Sequence, residues 1–156
     1  MVSPDSRLMP LQLKTNMTSP TPIDYEPAFA RNVRGQLYAR FRFGPDGAPE
    51  YSEDPDGLRH YPIAVFLDSP RAAEIEEVTY TLEAPLTFDP DGTSRDAAND
   101  FREEFWSYGD APVRVRVKIG DQVYSQRAWL SNMLEHGHAG NMAASIRSAI
   151  QRVRLN

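Results

Sequence analysis

His136, Gly137 and His138 follow Glu135, and imidazole beside carboxylate is a ligand set that zinc accepts. The chain has no cysteine and one other histidine, His60, so the spacing favours a solvated loop ahead of a terminal helix over a metal centre. Ser107 and Ser131 sit in no G-x-S-x-G, and no phosphate-cradling glycine motif occurs. Asp54-x-Asp56-Gly57 and Asp89-x-Asp91-Gly92 resemble fragments of calcium loops but lack the bidentate acid that closes one, and they read as turns. What remains is aromatic. Phe101, Phe105, Trp106 and Tyr108, with Phe88, could line a pocket that grips a ligand by stacking. Most of such a cluster belongs in a core. Tyr108 is the exception, because Gly109 beside it suits an exposed loop. The expectation is a non-enzymatic protein with no catalytic residue, cofactor or metal.

The elements that would position these residues are short strands. Val113, Val115, Val117 and Ile119 alternate with Arg114, Arg116 and Lys118, the period of a half-buried strand. Gly120-Asp121 turns the chain into Gln122–Trp129 and closes a hairpin. A two-residue loop sets Val117 opposite Tyr124 and Val115 opposite Gln126; one more loop residue would turn Val123 inward. Leu37, Ala39, Phe41 and Phe43 alternate with Tyr38, Arg40 and Arg42 in a second strand. Tyr61 to Leu67 is apolar on both faces, as in a central strand, with Pro62 expected at its beginning. Val78, Tyr80 and Leu82 make a third amphipathic strand, which Leu86 to Phe88 would continue. Asp91 to Asp100 reads as a surface loop, and Phe101 to Trp106 as a further strand.

Pro-Asp-Gly at 45–47, 55–57 and 90–92 marks three turns. Asn141 suits a helix N-cap, with Met142, Ile146, Ala149, Ile150 and Val153 on one stripe. The fold class is therefore all-β: an antiparallel sandwich of immunoglobulin-like type with a short C-terminal α-helix, the alternative being a partly open barrel. Three regions follow: a Pro-rich extended arm over 1–27, the sandwich over 28–140, and the amphipathic helix over 141–156.

The 156 residues suit one domain. A net charge of -5 argues against a general nucleic-acid binder. The absence of cysteine removes disulfides and thiol nucleophiles. Neither a signal-peptide core nor an 18-residue apolar run is present, and a soluble, cytoplasmic protein with no membrane contact is expected. Arg40 and Arg42, with Arg114, Arg116 and Lys118, would merge into an anion-attracting face if their strands were neighbours in one sheet.

Val78-Thr79-Tyr80-Thr81-Leu82, the Thr87-Phe88 pair, the Ser107-Tyr108-Gly109 loop and the basic strand after it come in an order that resembles the YEATS domain. The prokaryotic YEATS-like domains are the members it looks most like. The resemblance spans roughly residues 61 to 135. It implies an immunoglobulin-like sandwich whose loops at one end recognise a ligand, which in eukaryotic members is an acylated lysine held between aromatic rings. Thr87 and Phe88 match the family's [ST]-F pair, and Tyr108 and Gly109 match the aromatic and glycine of its second loop. Glu83 stands in place of the family's His, Ser107 in place of a Gly, and Ala111 in place of the closing aromatic.

The expected function is a sensor or recognition module for a peptide, a modified residue or a small ligand, with Thr87, Phe88, Tyr108 and Gly109 as contacts. Prokaryotic members of the family are associated with bacterial conflict and signalling systems. The alternative is an adaptor that works through a sheet face or the partly basic terminal helix. A hydrolase using His136 and His138 comes last.

Overall fold

The computed structural model describes residues 19–84 and 91–156. In chain order its elements are α1 (Pro27–Asn32), β1 (Gln36–Phe41), β2 (Ser52–Glu53), β3 (Arg59–Asp68), β4 (Glu77–Leu82), β5 (Asp91–Ser94), β6 (Glu103–Ser107), β7 (Pro112–Ile119), β8 (Gln122–Trp129), α2 (Leu130–Gly137) and α3 (Ala144–Leu155). Two short 3₁₀ turns, Ala72–Glu74 and Ala97–Asn99, lead into β4 and towards β6.

The strands form two antiparallel sheets. In the first, β3 lies between β1 and β6 and meets β2 at its start. In the second the order is β5-β4-β7-β8. No strand pairing joins the two among the described residues, so a β-sandwich forms and the open-barrel alternative does not. The alternation in the sequence explains the core directly. Leu37, Ala39, Ile63, Val65 and Leu67 from one sheet share a buried cluster with Val78, Tyr80, Val113, Val115 and Val117 from the other. Sliding β7 by one residue would bury Arg114 and Arg116 in place of the valines, a cost that holds the register.

Val117 pairs with Tyr124 and Val115 with Gln126, as a two-residue hairpin loop requires, and Val123 is left outside. Several expectations are corrected. Phe43 falls beyond β1 and is 44% exposed. Pro62 is the fourth residue of β3, opposite Trp106, and its carbonyl accepts the Arg42 N–H. Asp91 and Gly92 belong to a strand rather than a turn or loop. A Cβ at Gly92 would displace the Glu103 carboxylate, which now lies over it. Phe101 precedes β6 in the left-handed region together with Asp100 and is fully buried. Two helices were not expected. Pro27 opens α1, where a missing N–H costs nothing. Glu135 to His138, read as a solvated loop, are instead the last turn and C-cap of α2, whose Leu130, Met133 and Leu134 are buried. Ala143, not Asn141, precedes the first turn of α3, without a side-chain cap.

The outer edge of β1 is covered by side chains. Its Leu37 N–H donates to the Tyr25 hydroxyl at 2.8 Å and its Phe41 N–H to His138 Nε2 at 3.1 Å, while Gly137 lies against Ala39 between them. The described part of the arm is fastened likewise. The Gln126 side chain, pointing inward from β8 and 3% exposed, accepts the Glu26 N–H at 2.7 Å and donates to the Asp24 carbonyl at 3.1 Å. Gln126→Ala strands both backbone groups and is expected to cost about 1 to 2 kcal/mol. Limited proteolysis should then cut the variant near residues 19–26 before it cuts the sandwich; an unaltered cleavage pattern would contradict the tie.

Candidate functional site

One end of the sandwich collects the end of β4, the β6–β7 loop, the start of β3 and the helices that follow β8. Leu82 pairs with Val113, and the Glu83 N–H reaches the Pro112 carbonyl at 2.9 Å, so the exit of β4 and the entrance of β7 are adjacent. Thr87 and Phe88 lie outside the described residues. Tyr108 and Gly109 form the crown of the neighbouring loop.

Tyr108 does not stand alone. Its ring centroid is 4.0 Å from that of His60, at an interplanar angle of 51°. His60 Nε2 in turn is 3.3 Å from Asp54 Oδ2. The other oxygen of Asp54 accepts the N–H groups of Asp56 and Leu58, the bonding of an Asx turn. Partial burial opposes the Asp54 charge, but these N–H groups and His60 outweigh it and hold the carboxyl below its ordinary range. The result is a carboxylate, an imidazole and a phenol in series on the outer side of β3.

The loop that carries Tyr108 is pinned from below. Ser107 donates its hydroxyl to the Gly109 carbonyl at 2.8 Å, and Asn156 donates its amide to the Tyr108 carbonyl at 3.1 Å. A Cβ on Gly109 would meet the Asn156 main chain at 2.7 Å, so a glycine allows the end of α3 to close over the loop. Asp110 accepts the Ser131 N–H and hydroxyl at 2.9 and 2.6 Å, which caps the first turn of α2. Ser107 and Ser131 therefore hold the loop and the helix.

The other aromatics divide between core and surface. Phe101 and Phe105 are buried in the core, whereas Trp106 faces outward, 48% exposed, with the Arg42 guanidinium 5.8 Å from its ring. The histidines near the terminal helices act apart from each other. His136 donates to the Thr21 carbonyl at 2.8 Å. His138 is buried between Phe41 and Phe43, and burial, then the charge of Arg40, push its pKa down to about 4. Glu135 is taken by the Thr21 N–H and by Arg154. Among the described residues no group of three metal-ligating side chains occurs.

The basic rows do not merge, since Arg40 is on β1 with Arg42 just past its end and the others are on β7 of the second sheet. Three of the five cations are also matched by acids. Arg42 pairs with Glu50 and Glu104, Arg114 with Glu83, and Lys118 with Glu76.

The arrangement is an aromatic ring backed by an imidazole and a carboxylate, on a loop held by Ser107 and Asn156. Of the sequence candidates Tyr108 and Gly109 lie in this arrangement, while His60 and Asp54, which complete it, were not among them. The signal was present: Pro55-Asp56-Gly57 reverses the chain and returns residue 60 to residue 54. No helix among the described residues is long and apolar enough to cross a membrane. The chain matches no protein-family model and no curated protein.

Proposed function

We propose that the chain is a non-enzymatic recognition module of YEATS-like type, gripping a flat or apolar group of a peptide or small ligand at the Tyr108 end of the sandwich. The strand order supports the immunoglobulin-like part of this reading. Leaving aside the two-residue β2, the first, second and fifth strands make one sheet and the fourth, third, sixth and seventh the other. A constant-type immunoglobulin sandwich differs only in the sheet to which its fourth strand belongs.

The observation that carries the functional reading is the Tyr108 ring, set against His60 on a loop whose backbone is fixed by Ser107 and Asn156. Stacking on such a ring needs no bond chemistry. A role as sensor or adaptor in a bacterial conflict or signalling system suits a small domain of this kind, with Thr87 and Phe88 as further contacts.

The test titrates a panel of acyl-lysine peptides against the wild type and Tyr108→Ala. Loss of one stacking partner is expected to weaken binding about tenfold, with the unfolding midpoint little changed because the ring is only half-buried. Absence of binding to either protein would dispose of the acyl-reader version. The adaptor alternative has less to draw on in α3, where Arg154 already pairs with Glu135. A pull-down whose partners survive Arg147→Glu with Arg154→Glu would exclude that helix as the docking surface.

A further inference from the structure

On the opposite side of β3 from His60, Arg59 and Tyr61 face the first turns of α3. A cavity of about 240 Å3 lies there, lined by Pro49, Tyr51, Arg59, Tyr61, Ser145 and Ser148. We infer that it is a second binding site, independent of Tyr108, for a small monocarboxylate with a short apolar body.

Three separate features of the cavity point to an anion. Tyr61 is 1% exposed, yet its hydroxyl is buried without a hydrogen-bond partner among the described residues. A buried phenol in that state has given up its water without replacement, a deficit that a bound acceptor would remove. Arg59 carries the positive charge. Its guanidinium stacks 4.0 Å above the Tyr51 ring, its Nε is buried and unpartnered, and no ion pair engages it among the described residues. Glu53 is its cross-strand neighbour in the β2–β3 register but makes no ion pair with it. The third feature is α3, which begins with no side-chain cap and no acid in its first turn, so its leading N–H groups and positive dipole end are uncompensated beside Ser145. Ser145 and Ser148 are three residues apart on one helix face and add two hydroxyls.

Size and charge choose the class. A single guanidinium matches a single negative charge in planar, forked geometry, which is the geometry of a carboxylate. Tyr51, Pro49 and Ala149 offer an apolar wall to whatever follows it. The volume is below that of ordinary drug-sized pockets, so the body must be short.

The experiment follows backbone amide shifts of the full chain by NMR during titration with butyrate, and in parallel with butyramide, which has the same shape without the charge. Butyrate is expected to shift the amides of Arg59, Ser145 and Ser148, while butyramide leaves them in place. Arg59→Met should weaken butyrate binding about tenfold or more, and Tyr61→Phe severalfold, since bonds to a charged group are the stronger ones. Tyr61→Phe keeps the ring and removes only the unpartnered hydroxyl, so its fold is expected to be retained. Tyr108→Ala should bind butyrate like the wild type, which separates this site from the loop-end site. Absence of any shift, an equal response to butyramide, tighter binding of inorganic phosphate than of butyrate, or full affinity in Arg59→Met and Tyr61→Phe would each overturn the assignment.

Discussion

Gly137→Ala is expected to lower the unfolding free energy by about 3 kcal/mol or more, at the upper end for an overpacked contact. A Cβ at this position would lie 1.8 Å from the Ala39 carbonyl oxygen and 2.8 Å from its carbon. Both are main-chain atoms of a strand paired with β3, so no side-chain rotation relieves the clash. Either α2 lifts away or β1 shifts. Lifting α2 also draws His138 off the Phe41 N–H and uncovers Met133 and Leu134. Gly140→Ala is the control: nothing lies within 4 Å of a Cβ there, and a change within about 0.5 kcal/mol is expected. Urea denaturation of both variants gives the comparison. Equal midpoints would mean that α2 does not rest on β1.

Acid should undo the same contact without mutation. Folding lowers the His138 pKa from 6.5 to about 4, because burial and the nearby Arg40 disfavour the imidazolium and because Nε2 must stay unprotonated to accept the Phe41 N–H. The unfolded chain therefore binds more protons than the folded one between pH 6.5 and pH 4. Stability from this group is fully present above pH 6.5, falls as the pH drops through that window, and has no more to lose below about 4. Allowing for partial screening by solvent, the loss is about 2 kcal/mol. His138→Gln, which keeps an acceptor for the N–H but does not titrate there, should flatten the slope. The measurement is the unfolding midpoint against pH for both proteins. Parallel curves would show that the neutral imidazole is not what ties α2 to the strand.

Much of the sandwich could be read from period two alone. Alternation placed Val113, Val115 and Val117 inward, whereas two hairpin registers stayed open in the sequence and only the structure decides between them, with Val117 opposite Tyr124. The core strand β3 was recognisable from an apolar run that only burial on both faces explains. What escaped was everything fixed by tertiary contact. Leu130 to Leu134 is too short a run to declare a helix, and α2 depends on the Asp110 cap and the surface of β1, both distant in sequence. Gly92 reads as a turn residue beside Pro90-Asp91, but its missing side chain makes room for Glu103. The loop-end site was half legible, since Tyr108-Gly109 is a local signal whereas the His60 contact joins residues 48 apart. The cavity under α3 left no mark in the sequence, because an uncapped helix start and an unpaired arginine are visible only against the partners they lack.

Tyr25 and His138 have a further consequence for the way two copies of this chain can meet. The N–H groups they engage are among those to which a strand from another molecule would zip itself. On that side templated, fibre-like growth finds no seam to start from. Acid near pH 4, where His138 becomes charged in the folded chain, would reopen part of the seam, and self-association there is expected to begin along this flank of the molecule.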